Sequence, residues 1–235
     1  MTNRTSFLGL FLIGCCVAAG CPAQQPAAAV ATTPDKVVDL RRMQPIQGDA
    51  LAGAGKAAVC AACHGAQGVA IAPTFPNLAG QSATYLYVQL KEFHDGERND
   101  PVMTGQAALL SDADMRDLAS YYAAMAPRPA GRSDADSRGA KLYLAGDPAL
   151  GIPPCQGCHG ADGLGPRPHP SSAPRPPWAT YPHLRGQSSL YVAKQLGDFK
   201  SGARAGSSNA KVMHGVAATL GDDDVQALST WLDAW

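Results

Sequence analysis

Aromatic side chains are scarce in this chain of 235 residues: Phe, Trp and Tyr together make up 6% of it. Charge is sparse as well, at 16%, and the 19 Lys and Arg residues are balanced by 19 Asp and Glu. Without a basic excess the chain lacks the electrostatic footprint of a nucleic-acid-binding protein. Long hydrophobic runs are missing too. The run from Phe7 to Gly20 falls short of the roughly 20 apolar residues of a spanning helix, and Cys15 and Cys16 interrupt it. Nor is cysteine left for a disulfide framework, because Cys15, Cys16 and Cys21 lie in the N-terminal leader and the other four in two short motifs. Beyond the leader and a polar stretch, the chain makes two segments of about a hundred residues or fewer, each too small and too poor in large side chains to be secure without help.

What is present supplies that help. Cys60-Ala61-Ala62-Cys63-His64 recurs in form as Cys155-Gln156-Gly157-Cys158-His159. Two thiols three positions apart can each add to a vinyl group of a haem, and the histidine directly after them is placed to ligate its iron. A lone C-x-x-C also fits half a zinc site or a redox disulfide. The contiguous histidine and the duplication favour two covalently bound haem c groups, each a large apolar body at the centre of its segment.

Residues 1–21 read as an export signal: Arg4, an apolar run, then Ala18-Ala19-Gly20-Cys21. That last run resembles the lipobox of bacterial lipoproteins, which implies lipidation of Cys21; ordinary cleavage after Ala23 or Ala29 is the alternative. Residues 22–47, rich in Pro, Ala and Gln, read as a disordered tether with a root-mean-square span of about 30 Å. The first domain is expected over 48–126, a linker over 127–136 and the second domain over 137–235. Within the first, helices are expected from Asp49 into the motif, from Ser82 to His94, and from Ser111 with Met115, Leu118 and Tyr122 on one apolar face.

The second domain repeats the first. Adding 106 carries Gln81, Tyr85, Gln89, Phe93, Gly96 and Arg98 onto residues of the same type, and adding 110 carries Val102-Met103-Thr104-Gly105 onto Val212-Met213-His214-Gly215. Each motif histidine is thus followed by a V-M-x-G run, expected on a loop before the last helix. A thioether is a soft iron ligand, so Met103 and Met213 are the expected partners of His64 and His159. Met115, on a helical apolar face, reads as core. His94, His169, His183 and His214 read as surface positions.

From about Asp49 to Trp235 the sequence resembles the cytochrome c4 family of periplasmic dihaem cytochromes. The likeness rests on both C-x-x-C-H motifs, the Pro-x-Leu-x-Gly-Gln runs at Pro76 and Pro182, the Y-x-x-x-Q-L-x-x-F-x-x-G-x-R pattern and both V-M-x-G runs. It implies an all-α fold of two tandem class I cytochrome c domains, with the carbonyls of Pro76 and Pro182 orienting His64 and His159, and haems that meet near the domain interface. By the same likeness the chain is an electron carrier, not an enzyme. It would be monomeric, and would pass electrons from a quinol-oxidising complex or dehydrogenase to a terminal oxidase or reductase. The alternatives are a haem subunit of a membrane complex, a dihaem peroxidase or a thiosulfate-oxidising enzyme. A methionine for each domain and the lack of a spare cysteine speak against the last two.

Two asymmetries remain. The second domain has eleven additional residues between His159 and Gln187, proline-rich over 165–178, where Arg167, Arg175 and Trp178 could form a docking lip. Residues 48–126 carry four cations against eight anions, while 132–235 carry ten against nine. The two halves are therefore expected to offer different fields to partners.

Overall fold

The computed structural model describes residues 37–41, 43–129, 131, 134–165 and 180–235. Among them are ten α-helices and, apart from two isolated bridges, no β-structure. The first domain contains α1 (Ala50–Lys56), α2 (Ala58–His64), α3 (Ala83–His94), α4 (Met103–Ala107) and α5 (Asp112–Ala123). The second contains α6 (Arg138–Ala145), a 3-10 turn at Pro148–Leu150, α7 (Gln156–His159), α8 (Ser189–Ser201), α9 (Ser208–Ala218) and α10 (Asp222–Ala234).

The caps are where the sequence puts them. Ser82 accepts from the Tyr85 N–H at the head of α3, and Ser111 with Asp114 forms a reciprocal capping box on α5. The helix expected over Asp49–Ala62 is instead broken at Ala57. The break lets α1 pack along α5, while α2 carries the cysteine motif. In each domain the first helix crosses the last at a glycine. A Cβ on Gly53 would come within 2.2 Å of the Asp117 carbonyl oxygen, and one on Gly139 within 2.3 Å of that of Ala227. Any larger residue would force these helices apart.

Each domain then closes its own core. Met115, Leu118 and Tyr122 on α5 are buried as their spacing requires, against Leu86 and Tyr87 of α3. Tyr143, Leu228 and Trp231 do the same between α6 and α10. Truncating Leu118 or Leu228 to Ala would cost about 2–5 kcal/mol.

The expectation of disorder over 22–47 fails at its C-terminal end. Leu40 is only 3% exposed, and Val38, Met43 and Ile46 pack beside it on the first domain's core. Composition concealed this, because four apolar residues at irregular spacing show no period. Residues 22–36 of that expected tether, the 1–21 leader with Cys21, and 166–178 of the proline-rich loop lie outside the described residues.

The domains meet through residues that the repeat had marked. Gln187 Oε1 accepts from the Asn77 N–H (3.0 Å) while its Nε2 donates to the Asn77 carbonyl (2.6 Å). Gln81 treats His183 identically, at 2.8 and 2.9 Å. Asn77 Nδ2 donates to the Gly186 carbonyl and His183 Nδ1 to that of Gly80, both at 2.7 Å. His183 is therefore a domain contact and not the surface residue expected. Deeper in, Arg98 donates to Gln89 (2.6 Å) and across to Gln195 (2.7 Å), and Arg204 donates to Gln195 (2.9 Å) and across to Gln89 (2.5 Å). Tyr191 and Tyr85 complete the two guanidinium sites. This is an isologous contact inside one chain, as a two-fold dimer would make.

Candidate functional site

In α2, Cys60, Cys63 and His64 stand at i, i+3 and i+4 and so share one face within a single turn. The helix ends immediately afterwards at Gly65, whose φ of 74° is left-handed and whose Cβ would lie 2.0 Å from the Val69 carbonyl oxygen. α7 ends in the same way at Gly160, with φ of 81°. Stopping there turns the chain back on itself. The loop is pinned by the Gly68 carbonyl, which accepts from Leu78 and Ala79, and in the second domain by the Gly163 carbonyl, which accepts from Leu184 and Arg185. The eleven additional residues fall between those pins, so the loop grows without moving its ends.

The loops deliver one carbonyl each. His64 Nδ1 donates to the Pro76 oxygen and His159 Nδ1 to that of Pro182, both at 3.0 Å. Fixing the proton on Nδ1 leaves the Nε2 lone pair as the ligating atom. Both imidazoles are buried, and burial holds both below the ordinary histidine range, the proline carbonyls opposing only in part. They are neutral at pH 7, the form that binds iron.

The methionines are not on loops. Met103 is the first residue of α4, and the N–H groups of Val102 and Met103 both donate to Asp100 Oδ1 at 3.0 Å. Asp100 and Pro101 form the turn that leads into α4, whose N-cap residue is Val102. Met213 lies inside α9, capped by Ser207 and packed on Phe199, Ala210 and Ala217. Both methionine side chains are half-buried. Of the remaining histidines, His94 is exposed beside Asp95, His214 is exposed with Nδ1 on the Phe199 carbonyl at 2.7 Å, and His169 lies outside the described residues.

Each domain thus offers two free thiols on the face of one helical turn, a neutral imidazole with a fixed tautomer, and a thioether. That donor set fits a covalent haem. Among the described residues no three His, Cys, Asp or Glu side chains gather to hold a bare ion. Trp231 Nε1 is a buried donor with no hydrogen-bond partner.

The cytochrome c family model matches residues 50–125 and again 137–234. Cytochrome c4 of Pseudomonas aeruginosa is 42% identical over 187 residues, which covers 79% of this chain and 88% of that protein. The chain belongs to the cytochrome c4 family. The crystal structure of reduced recombinant cytochrome c4 from Pseudomonas stutzeri matches with a TM-score of 0.70 at 39% identity, over 80% of this chain and 98% of that one. A protein of Thiomonas intermedia described as a thiosulfate dehydrogenase electron acceptor is 39% identical over 186 residues, 76% of this chain and 79% of its own. As a cytochrome c4 the chain carries two covalently bound haem c groups in tandem class I domains. It transfers electrons between redox partners and is not a catalyst. No helix among the described residues is long and apolar enough to cross a membrane.

Proposed function

We propose that Cys60 and Cys63 bind one haem and Cys155 and Cys158 the other, with His64 and Met103, and His159 and Met213, as axial ligands. The observation that carries this reading is the matched pair of His Nδ1 to proline carbonyl bonds, each 3.0 Å, on matched helix ends in the two domains. Haem iron supplies one reversible electron per domain. His64 with Met103 and His159 with Met213 would hold that iron, while the chain excludes water and keeps the two domains, 48–126 and 137–235, in fixed relation. Closed coordination leaves no iron site for a peroxide or a thiosulfate, in keeping with a carrier. Titration with a one-electron reductant checks this: two equivalents per chain are expected, with no peroxide or thiosulfate turnover above that of free haem. A single equivalent, or turnover by the intact protein, would refute it.

The finer reading places the protein in the periplasm, anchored by lipid on Cys21, between a quinol-oxidising complex or dehydrogenase and a terminal oxidase or reductase. Recovery in the membrane fraction, lost in Cys21→Ser, is the expected result; a mature chain beginning at Gln24 or Val30 without lipid would contradict it. The relative from Thiomonas intermedia supports thiosulfate dehydrogenase as a second class of donor. Co-purification with one detergent-solubilised complex at fixed stoichiometry would instead make the protein a resident subunit.

A further inference from the structure

Residues 37–41 and 43–46 precede the first stretch matched to the cytochrome c family, which begins at residue 50, yet they bind both domains. Leu40 is seated in the first domain's core with Leu86 and Tyr87, and the Ile46 N–H donates to Thr84 Oγ1 at 3.1 Å, in the first turn of α3. The other end lies on the second domain. Val38 forms a parallel bridge with Ser207; its N–H donates to the Gly206 carbonyl (2.9 Å) and its own carbonyl accepts from the Ser208 N–H (2.8 Å). The Leu40 N–H donates to Ser208 Oγ at 3.0 Å. Ser207 meanwhile caps α9, its hydroxyl accepting from the Ala210 N–H. Three hydrogen bonds from the segment therefore converge on the start of the helix that carries Met213.

We propose that residues 38–41 and 43–46 are a positioning strap for the second domain's methionine, held down by the first domain's core. The proposal rests on the reading of Met213 as an iron ligand. To open the first turn of α9, the chain must break the three strap bonds or draw Leu40 out of the other domain. Release of Met213 is thereby coupled to separation of the domains. Among the described residues α4 has no such device and begins on its own Asp100. A segment that merely covered the core would bear on Leu86 and Tyr87 but not on α9.

The test uses the holoprotein and three variants: Ser208→Ala, which removes the Leu40 acceptor; Leu40→Ala, which loosens the seat; and Ser208→Thr, which keeps the hydroxyl. Amide hydrogen exchange is followed over 206–216, together with the rate at which cyanide displaces a ligand from the oxidised second-domain haem. Exchange over 208–213 should rise roughly 5–10-fold in the first two variants. Cyanide entry should quicken by a similar factor, with α4 unchanged and Ser208→Thr like the parent. Unchanged exchange over 206–216 in both, with haem content and helicity intact, overturns the strap; so does loosening confined to the first domain. Met213→Ala separates this from failure of the ligand reading. If its methionine-to-iron charge-transfer band is unchanged, the ligation and the positioning role fall together. If the band is halved but strap variants exchange normally, only the strap falls.

Discussion

Met103 begins a helix of five residues, whereas Met213 is the sixth residue of a helix of eleven, because four additional residues after Arg204 add a turn ahead of it. Across the interface, by contrast, Gln81 and Gln187, Gln89 and Gln195, and Arg98 and Arg204 make the same bonds to one another's domains. The duplicated sequence has kept what faces the two-fold axis, where a change in one half disturbs both. It has drifted where each half acts alone. A helix of one turn is marginal by itself and depends on its cap, so the first domain's methionine segment should open more readily than the second's.

The harshest way to break the comparison is to remove one haem. Cys155→Ala with Cys158→Ala should leave one haem per chain by mass and absorbance and unfold the second domain, and Cys60→Ala with Cys63→Ala should do the same to the first. Two haems retained in either variant would contradict the assignment. Next in size is the interface. Arg98→Ala and Arg204→Ala each remove two buried charge-assisted hydrogen bonds, leaving Gln89 and Gln195 with the other arginine alone, and should cost about 3 kcal/mol, about 6–12 °C in Tm for a chain of this length. Equal losses sharpen the symmetry, and a difference above about 2 kcal/mol would show that one half dominates.

A smaller effect separates the methionines. Asp100→Ala removes the carboxylate that accepts from the Val102 and Met103 N–H groups ahead of α4, at about 1 kcal/mol, and should speed carbon monoxide binding at the first haem alone. Ser207→Ala should do less at the second, where α9 is longer and strapped. Equal effects would dissolve the difference between the helices.

Charge steering is weaker still. Glu92, part of the acidic excess, is buried at 4% exposure, and Asp95 is already paired with Lys91 and His94. Neutralising Asp95 and Asp112 should slow one half-reaction, and Arg167→Gln with Arg175→Gln the other, each by a few-fold at low salt and less at high salt. If both sets slow both half-reactions alike, a single docking surface serves donor and acceptor. The smallest expected change is at the α1–α5 clip. The Lys56 ammonium, with Ser111, holds the Asp114 carboxyl down at about 2, below its ordinary 3.8. A depressed carboxyl stabilises the fold above its unfolded value and stops doing so as pH falls through the folded one. Lys56→Met should flatten the stability profile between about pH 4 and 2, while the second domain's own clip, Arg138 on Asp224, stays in place.

Much of this was legible beforehand because it repeats. The two motifs, the Pro76 and Pro182 carbonyls and the buried face of α5 follow from spacing or family likeness, since periodic burial and covalent chemistry leave local marks. Three features left no such mark. The break at Ala57 comes from the packing of α1 on α5, and the strap from contacts between residues 168 apart in sequence. The helix at Met103 starts from an Asp100-Pro101 turn, and turn residues read in sequence as loop. His183 shows a fourth limit: replacing Asn77 in the repeat, it keeps the same bond to a facing glycine carbonyl, which composition reads only as a polar surface residue.

The central claim is that each half closes its own iron with a histidine and a methionine. The direct measurement is the methionine-to-iron charge-transfer band of the oxidised protein in Met103→Ala, Met213→Ala and the double variant. The account predicts that each single variant loses about half of the band and opens one iron to cyanide, and that the double variant loses all of it. A band that survives either single substitution at full strength, or one absent from the unaltered protein, would contradict it.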